Sequence, residues 1–337
     1  MRIVAALGGN ALLKRGEPPD SAIQERHVIS AVRALAPLAA GHELVITHGN
    51  GPQVGLLALE SASDPALARP YPFDVLGAQT QGMIGYWLTQ ALANALPDRQ
   101  VTCLISRTLV RADDPAFAHP AKFVGPVYDE SQARALAASQ HWDIRQDGAA
   151  WRRVVPSPEP ADLIELPAIR LLLDHRAIVV CSGGGGIPVA VNGTGGLRGV
   201  EAVVDKDLTA ALLAIRLHAD ALLLLTDMAA VQDGFGTPQA RPIGRVSSTW
   251  LRARSFPAGS MGPKVEAACR FAEATGKLAA IGQLTDAAAL LAQSAGTIIL
   301  NETGAETSIS LVPPIMLLSS CAVQDPAAAH VPELRPG

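Results

Sequence analysis

The 337-residue sequence predicts an α/β protein built on a mostly parallel sheet. Two observations carry this. Short apolar runs at Ile3–Leu7 and Glu43–Thr47 read as buried strands, and each runs straight into a glycine-asparagine turn, Gly8-Gly9-Asn10 and His48-Gly49-Asn50-Gly51. Between them Val28, Val32, Leu35, Ala36 and Ala39 recur at helical spacing, so the segment forms a βαβ unit with both loops at the carboxyl ends of parallel strands. The pattern then returns: Ala177–Cys181 leads into four glycines at 183–186, and Ala221–Leu225 leads into Thr226-Asp227.

Composition narrows the function. Hydrophobic residues make up 49% and charged residues 17%, ordinary for a large-cored globular chain of two domains or one α/β unit with two lobes. Net charge is -4 with the signs mixed, and aromatics are 4%, which argues against a nucleic-acid or anionic-membrane surface. Cys103, Cys181, Cys269 and Cys321 form no CxxC pair and read as buried small hydrophobes in a reducing compartment. The apolar start at Ile3–Leu7 is too short for a signal peptide, and residues 307–324, uncharged but carrying Pro313-Pro314, do not read as a span. A cytoplasmic protein is expected.

The elements follow in order. Ser21 to Gln24 fits a capping box, opening a helix that ends at Gly41. Asp74 opens a long helix with Ile84, Leu88, Ala91, Leu92 and Ala95 on one face. In it Gly77, Gly82 and Gly85 each cost about 1 kcal/mol against alanine, which close packing on another backbone or a partner subunit would explain. Val101–Ser106 is a third strand. From 111 to 160 the period is lost, and the stretch reads as an inserted subdomain with a helix at Gln132–Ser139 and a strand at Trp151–Val155. Leu163–Asp174 is helical, and Gly193–Gly199 is a turn. Leu208, Ala211, Leu212 and Ile215 mark a helix whose entry is Asp205-Lys206-Asp207. Gly259 to Lys264 precedes a helix carrying Val265, Ala268, Cys269 and Ala272, and Leu278–Ile281 and Thr297–Leu300 close the sheet.

Several residues carry chemical meaning. The glycine loops let backbone N–H groups approach a ligand without a Cβ in the way. Residues 49–55, GNGPQVG, miss the dinucleotide fingerprint by one position, and no GxxxxGK[ST] occurs. Asp205-Lys206-Asp207 admits two readings, a capped helix start or a charged element facing a ligand. Lys122 is an isolated lysine in AKFVGP, either a surface charge or a ligand contact. Gathered at one sheet edge, the loops, the lysines at 122, 206 and 264, and Asp205, Asp207 and Asp227 suit an anionic, oxygen-rich ligand. Two lysines about 4 Å apart repel by about 4 kcal/mol at an effective dielectric near 20, so an aspartate must space them or a phosphate fill the gap. Phosphoryl transfer needs that arrangement.

Long motifs in a fixed order complete the picture: ALGGNAL (Ala6–Leu12), THGNGPQVG (Thr47–Gly55), QTQGMIGY (Gln79–Tyr86), RRVVPSP (Arg152–Pro158), GGGGIPV (Gly183–Val189), EAVVDKDLTAALLA (Glu201–Ala214) and GSMGPKVEAA (Gly259–Ala268). Over about residues 2–300 the chain resembles the carbamate kinases of the amino-acid kinase superfamily. The resemblance implies an open αβα sandwich of two lobes with the inserted subdomain, usually a homodimer, working on ATP/ADP with Mg2+ in the cytoplasm. It implies reversible phosphoryl transfer between ATP and carbamate, ATP-forming from carbamoyl phosphate in arginine breakdown. By the family pattern Gly8, Gly9, Asn10, Gly49, Asn50, Gly51, Gly184 and Gly185 hold the carbamoyl phosphate side. Lys206, Lys264, Asp207 and the insert-borne Lys122 are the catalytic set, and Thr226, Asp227, Met261 and Gly262 lie on the nucleotide side; no residue is assigned as a metal ligand. The expected organisation is a kinase-like domain over 1–301, with a carbamate lobe at about 1–176 and a nucleotide lobe at about 177–301, and an extension over 302–337. In that extension Glu306–Val312 is expected as an edge strand and the remainder as poorly ordered. The chain departs from the family at Gln232, where an aromatic is usual, in the residues around Lys122, and in running on to Gly337. A kinase of another small carboxylate, or a non-catalytic sensor of nucleotide or metabolite, is the alternative.

Overall fold

The computed structural model describes residues 1–14, 16–257, 259–301 and 310–311. The chain opens as expected: β1 (Arg2–Leu7), α1 (Ser21–Gly41) and β2 (Glu43–His48), with β1 and β2 parallel and Leu7 opposite His48. The capping box is corrected. Asp20 is the N-cap of α1, which places Gln24 one residue too far along to reach back, and no side chain caps this end. Instead the buried Gln24 donates to the Pro19 carbonyl and accepts from Gln53.

α2 (Gly51–Ser63) lay hidden in a stretch that reads as loop; Pro52 starts it, its fixed φ and missing N–H suiting a first turn. α3 (Phe73–Ala95) follows. Gly85 has its packing reason, since a Cβ there would overlap the Cys103 sulfur, whereas Gly77 and Gly82 meet nothing within 4 Å. The expected third strand is shorter, β3 (Val101–Cys103), because the chain turns at residues 104–106 and enters a second sheet as β4 (Arg107–Val110).

The insert contains β5 (Lys122–Tyr128), α4 (Glu130–Gln140), β6 (Asp143–Asp147) and β7 (Ala150–Val155), the strands pairing β5-β7-β6. The capping box that Ser21 lacks is present on α4, between Asp129 and Gln132. β8 (Pro160–Leu163) ends on Leu163, the residue expected to begin a helix, and α5 starts at Leu166 and runs to Asp174. β9 (Ile178–Val180), the hairpin β10 (Ile187–Val191) and β11 (Leu197–Gly199), α6 (Lys206–Arg216) and β12 (Ala221–Thr226) follow. Next come β13 (Gln232–Asp233), β14 (Arg241–Ser247), α7 (Ser248–Arg252), α8 (Met261–Thr275), β15 (Leu278–Gln283), α9 (Ala287–Leu291) and β16 (Thr297–Leu300). Of the expected edge strand, β17 (Ser310–Leu311) pairs antiparallel with β14; the rest of it, and the stretch after Pro313, lie outside the described residues.

These strands form a ten-stranded sheet in the order β13-β14-β16-β15-β12-β1-β2-β9-β3, with β17 also on β14. From β15 to β3 every neighbour is parallel. Alternation along the strands divides the core. Ile3, Ala5 and Leu7 pack with Leu35 of α1, Leu88 of α3 and Leu290 of α9 on one face. Val4 and Ala6 pack with Ile169 of α5, Leu213 of α6 and Phe271 of α8 on the other. The result is an αβα sandwich with a mostly parallel sheet. β1 lies between β2 and β12, so the chain's path switches direction at the centre of the sheet and opens a crevice over three adjacent carboxyl ends. Among the described residues no helix is long and apolar enough to cross a membrane. Cys181 and Cys269 are buried free thiols and Cys103 a half-buried one; Cys321 lies outside the described residues.

Candidate functional site

The crevice is a cavity of about 630 Å³. Its floor begins where the ladders end. Gly8 N–H donates to the Leu225 carbonyl at 2.9 Å and Gly49 N–H to the Leu7 carbonyl at 3.0 Å, so both turns are extensions of the sheet. Both are tight: a Cβ on Gly8 would stand 3.0 Å from the Leu225 oxygen, and one on Gly49 3.0 Å from Gly9 N and 3.3 Å from the Lys206 Cδ. Glycine at 49 therefore leaves the room through which the Lys206 stem passes. Asn50 does not cap α2, because its amide donates to Thr80 Oγ1 at 2.8 Å. Gly51 lines the cavity, so the uncapped positive end of α2 lies against it.

The four glycines at 183–186 have a nearer reason than ligand approach. A Cβ on Gly183 would overlap the His48 ring, on Gly184 the Asn50 side chain, on Gly185 the Val204 carbonyl and on Gly186 the Thr108 hydroxyl. The last three also have φ of 64°, 92° and 86°. Gly184 reaches the cavity. Gly185 lies behind it, its carbonyl accepting from Thr108 Oγ1 at 2.7 Å and Thr209 Oγ1 at 2.9 Å. Gln81 holds the same loop, donating to the Gly183 and Ser106 carbonyls. His48 sits beneath, buried, with burial pushing its imidazole down to about 4, so it stays neutral under the turn.

The charged group is built on the start of α6. Asp205 caps the helix, its Oδ1 accepting from Asp207 N–H at 2.9 Å and Leu208 N–H at 3.3 Å. Its other oxygen, Oδ2, takes Lys122 Nζ from β5 at 2.5 Å. The capped-helix reading of Asp205-Lys206-Asp207 holds, and the same three residues line the cavity. Asp207 Oδ1 accepts from Lys206 Nζ at 2.6 Å, and its Oδ2 accepts from Lys264 Nζ, in the first turn of α8, at 2.9 Å. Burial alone would raise the Asp207 carboxyl, but the two ammonium groups overcome it and hold it ionised well below the usual carboxylate range. Burial lowers Lys206 to about 8, with the Lys264 charge adding to the fall and Asp207 opposing it. For Lys264 burial also pulls down, yet Asp207 wins and its ammonium is held above the usual lysine value. Two ammonium groups converging on one carboxylate leave net positive charge, and with the backbone N–H groups of the turns they suit a phosphoryl group.

Of the residues singled out in the sequence, Gly8, Gly9, Gly49, Asn50, Gly51, Lys122, Gly184, Lys206, Asp207, Thr226, Asp227, Met261 and Lys264 line this cavity. Gly262 lies behind it, donating its N–H to the Pro257 carbonyl at 2.9 Å. Asn10 falls in a single helical turn over Gly9–Ala11, and its side chain lies outside the described residues. Asp205, expected at this edge, also lines it, and unforeseen lining residues are Phe123, Phe235, Phe256 and Pro257. For Phe235 the flanking Gly234 and Gly236 were the available signal.

A sandwich with lysines and glycine turns at its switch point defines a phosphate-handling α/β protein. The family model for the amino acid kinase family matches residues 1–282, and the chain belongs to that family. It is 53% identical over 303 residues to the carbamate kinase of Rhizobium meliloti (strain 1021), covering 89% of this chain and 93% of that one. It is 48% identical over 297 residues to the carbamate kinase of Escherichia coli (strain K12), covering 88% and 98%. Among solved structures it is similar to the carbamate kinase from Giardia lamblia bound to AMP-PNP, with a TM-score of 0.82, 37% identity and coverage of 89% and 98%.

The low Lys206 value gives the cavity a pH signature. An anion bound there favours the ammonium form, so affinity holds below about pH 7 and weakens as pH rises through about 8, where the free protein loses that proton. Titration calorimetry with sulfate, whose charge is constant across this range, is expected to show that decline; affinity constant to about pH 10 contradicts it.

Proposed function

We propose that the chain is a carbamate kinase, transferring a phosphoryl group reversibly between ATP and carbamate and forming ATP from carbamoyl phosphate and ADP. The observation that carries this reading is the Lys206–Asp207–Lys264 cluster, seated between the Gly8 and Gly49 turns at one end of the cavity and Thr226, Asp227 and Met261 at the other. Carbamate kinases at 43–53% identity are the relatives that support it.

In this reading Gly8, Gly9, Asn10, Gly49, Asn50, Gly51 and Gly184 hold the carbamoyl phosphate side, with Gly185 fixing Gly184 from behind. Lys206 and Lys264 flank the moving phosphoryl group and stabilise the charge spread over its oxygens, while Asp207 keeps both ammonium groups converged. No covalent attack by the protein is needed, because positioning and charge complementarity supply the rate. Lys122, anchored through Asp205, covers the substrate from the insert. Met261 and Thr226 face the nucleotide, and Gly262 sets the start of α8 that carries Lys264. Residues of about 1–176 with the insert serve the carbamate side, and about 177–301 the nucleotide side, on one continuous sheet.

The residues present fit magnesium brought in by the nucleotide. Among the described residues there is no group of three or more His, Cys, Asp or Glu to cage an ion, and Asp205 and Asp207 are engaged by lysines. Magnesium would be held by the nucleotide's phosphate oxygens and water, and would supply neutralisation of phosphate charge.

A homodimer belongs to the same proposal, its motive an exposed stripe on α3 of Val75, Gly82 and Tyr86, the last 61% exposed. Light scattering is expected to give about twice the 35.0 kDa of one chain; the single-chain mass at micromolar concentration rejects it.

The activity is tested by coupled assay of ATP formation from carbamoyl phosphate, ADP and Mg2+. Lys206→Ala is expected to lower turnover by about two to three powers of ten, the scale for losing one transition-state donor. No ATP above background with the unaltered chain sinks the activity, and an unimpaired Lys206→Ala sinks the role of that lysine.

A further inference from the structure

Away from the lysines the cavity changes character. Met228, Ala230, Phe235, Phe256, Pro257 and Met261 line its other end. Phe235 is 58% exposed, held at the tip of a turn between Gly234 and Gly236, whose φ of 67° and 82° suit glycine. Thr237 Oγ1 donates to the Gly234 carbonyl at 2.7 Å and steadies that turn. An aromatic face exposed beside a cavity is apolar surface that a flat ring can cover.

Three residues earlier, β13 alternates. Asp233 is turned to Arg254, at 3.5 Å, while Gln232 lines the cavity. The other glutamines near the site are committed: Gln81 to Ser106 and Gly183, Gln24 to Pro19, Gln53 to Gln24, and Gln283 to the Asp227 carbonyl. The Gln232 carboxamide makes no hydrogen bond to protein among the described residues. Nothing therefore fixes which of its ends is the carbonyl and which the NH2.

Resting on the nucleotide reading above, we propose that Gln232 reads the edge of the nucleobase while Phe235 stacks on its face, and that the site consequently accepts 6-amino and 6-oxo purines alike. Towards adenine the carboxamide oxygen accepts from the 6-amino group while its NH2 donates to N1. Rotated by half a turn, the NH2 donates to the 6-oxo oxygen of hypoxanthine and the carbonyl accepts from N1–H. One side chain thus matches both edges, which a carboxylate or an ammonium cannot do. Phe235 contributes to both equally, because stacking uses the ring face and not the edge.

The test is calorimetric binding of ADP and IDP to the full chain, which needs no turnover. In the unaltered protein the two dissociation constants are expected within about fivefold of each other, less than one matched hydrogen-bond pair discriminates. Gln232→Leu removes both edge bonds and leaves the stacking face, and is expected to weaken ADP and IDP alike, each about tenfold or more, with their ratio unchanged. Phe235→Ala is expected to weaken both nucleotides about tenfold with the ratio unchanged, and Phe235→Tyr to restore them. An unaltered chain that already rejects IDP, a Gln232→Leu protein that binds either nucleotide as before, a Phe235→Ala protein that binds both nucleotides as before, or absence of nucleotide binding overturns the proposal. Nucleotide binding with this pattern but without ATP formation from carbamoyl phosphate leaves it standing and rejects only the carbamate kinase activity.

Discussion

The site depends on one carboxylate holding two buried ammonium groups. Each oxygen of Asp207 takes one lysine, Lys206 at 2.6 Å and Lys264 at 2.9 Å, with the aspartate 4% exposed and Lys264 8% exposed. Without it the lysines would repel in a region poor in water, where about 4 kcal/mol at 4 Å is the cost even at an effective dielectric near 20. With it they form a group of net positive charge whose geometry is set before any ligand arrives. Asp207 is itself placed by its neighbour: Asp205 Oδ1 caps α6 and its Oδ2 takes Lys122 from the insert. A single stretch at a helix start therefore joins α6, α8 and β5 around one cavity.

The glycine loops serve that arrangement mainly by letting the protein approach itself. Gly49 leaves room for the Lys206 stem, Gly184 for Asn50, and Gly185 for the Val204 carbonyl just ahead of Asp205. Gly55 on α2 and Gly125 on β5 meet with no space for a Cβ on Gly55, which seats the insert and so the strand that carries Lys122. A side chain at these positions would move a charged group as well as a loop. Backbone freedom at φ near 64–92° and closeness of approach act together at Gly184 and Gly185.

Much of this was legible in the sequence where two signals coincided. Ile3–Leu7 and Ala221–Leu225 are apolar runs ending in turn residues, and both are buried parallel strands. α2 was not legible, because Gly51 and Pro52 read as loop although they are good first residues of a helix. The capping box at Ser21 failed by one position, a register that helix periodicity does not set. β14 was missed because Pro242 and Gly244 break the strand pattern, yet the strand is held between β13, β16 and β17. Asp205 was readable as a cap, but its bond to Lys122, 83 residues away, is a product of the fold alone. For the same reason nothing near Lys122 or Lys264 in the chain reveals that the one will meet Asp205 and the other Asp207.

The most direct measurement is the unfolding free energy of Asp207→Asn in urea, with and without pyrophosphate. If Asp207 is what holds the lysines together, the variant loses about 3 kcal/mol or more, the scale for breaking a buried ion pair from one side, and pyrophosphate returns part of that loss by filling the space between the lysines. A variant within about 0.5 kcal/mol of the unaltered protein, the range of an ordinary surface substitution, contradicts the account.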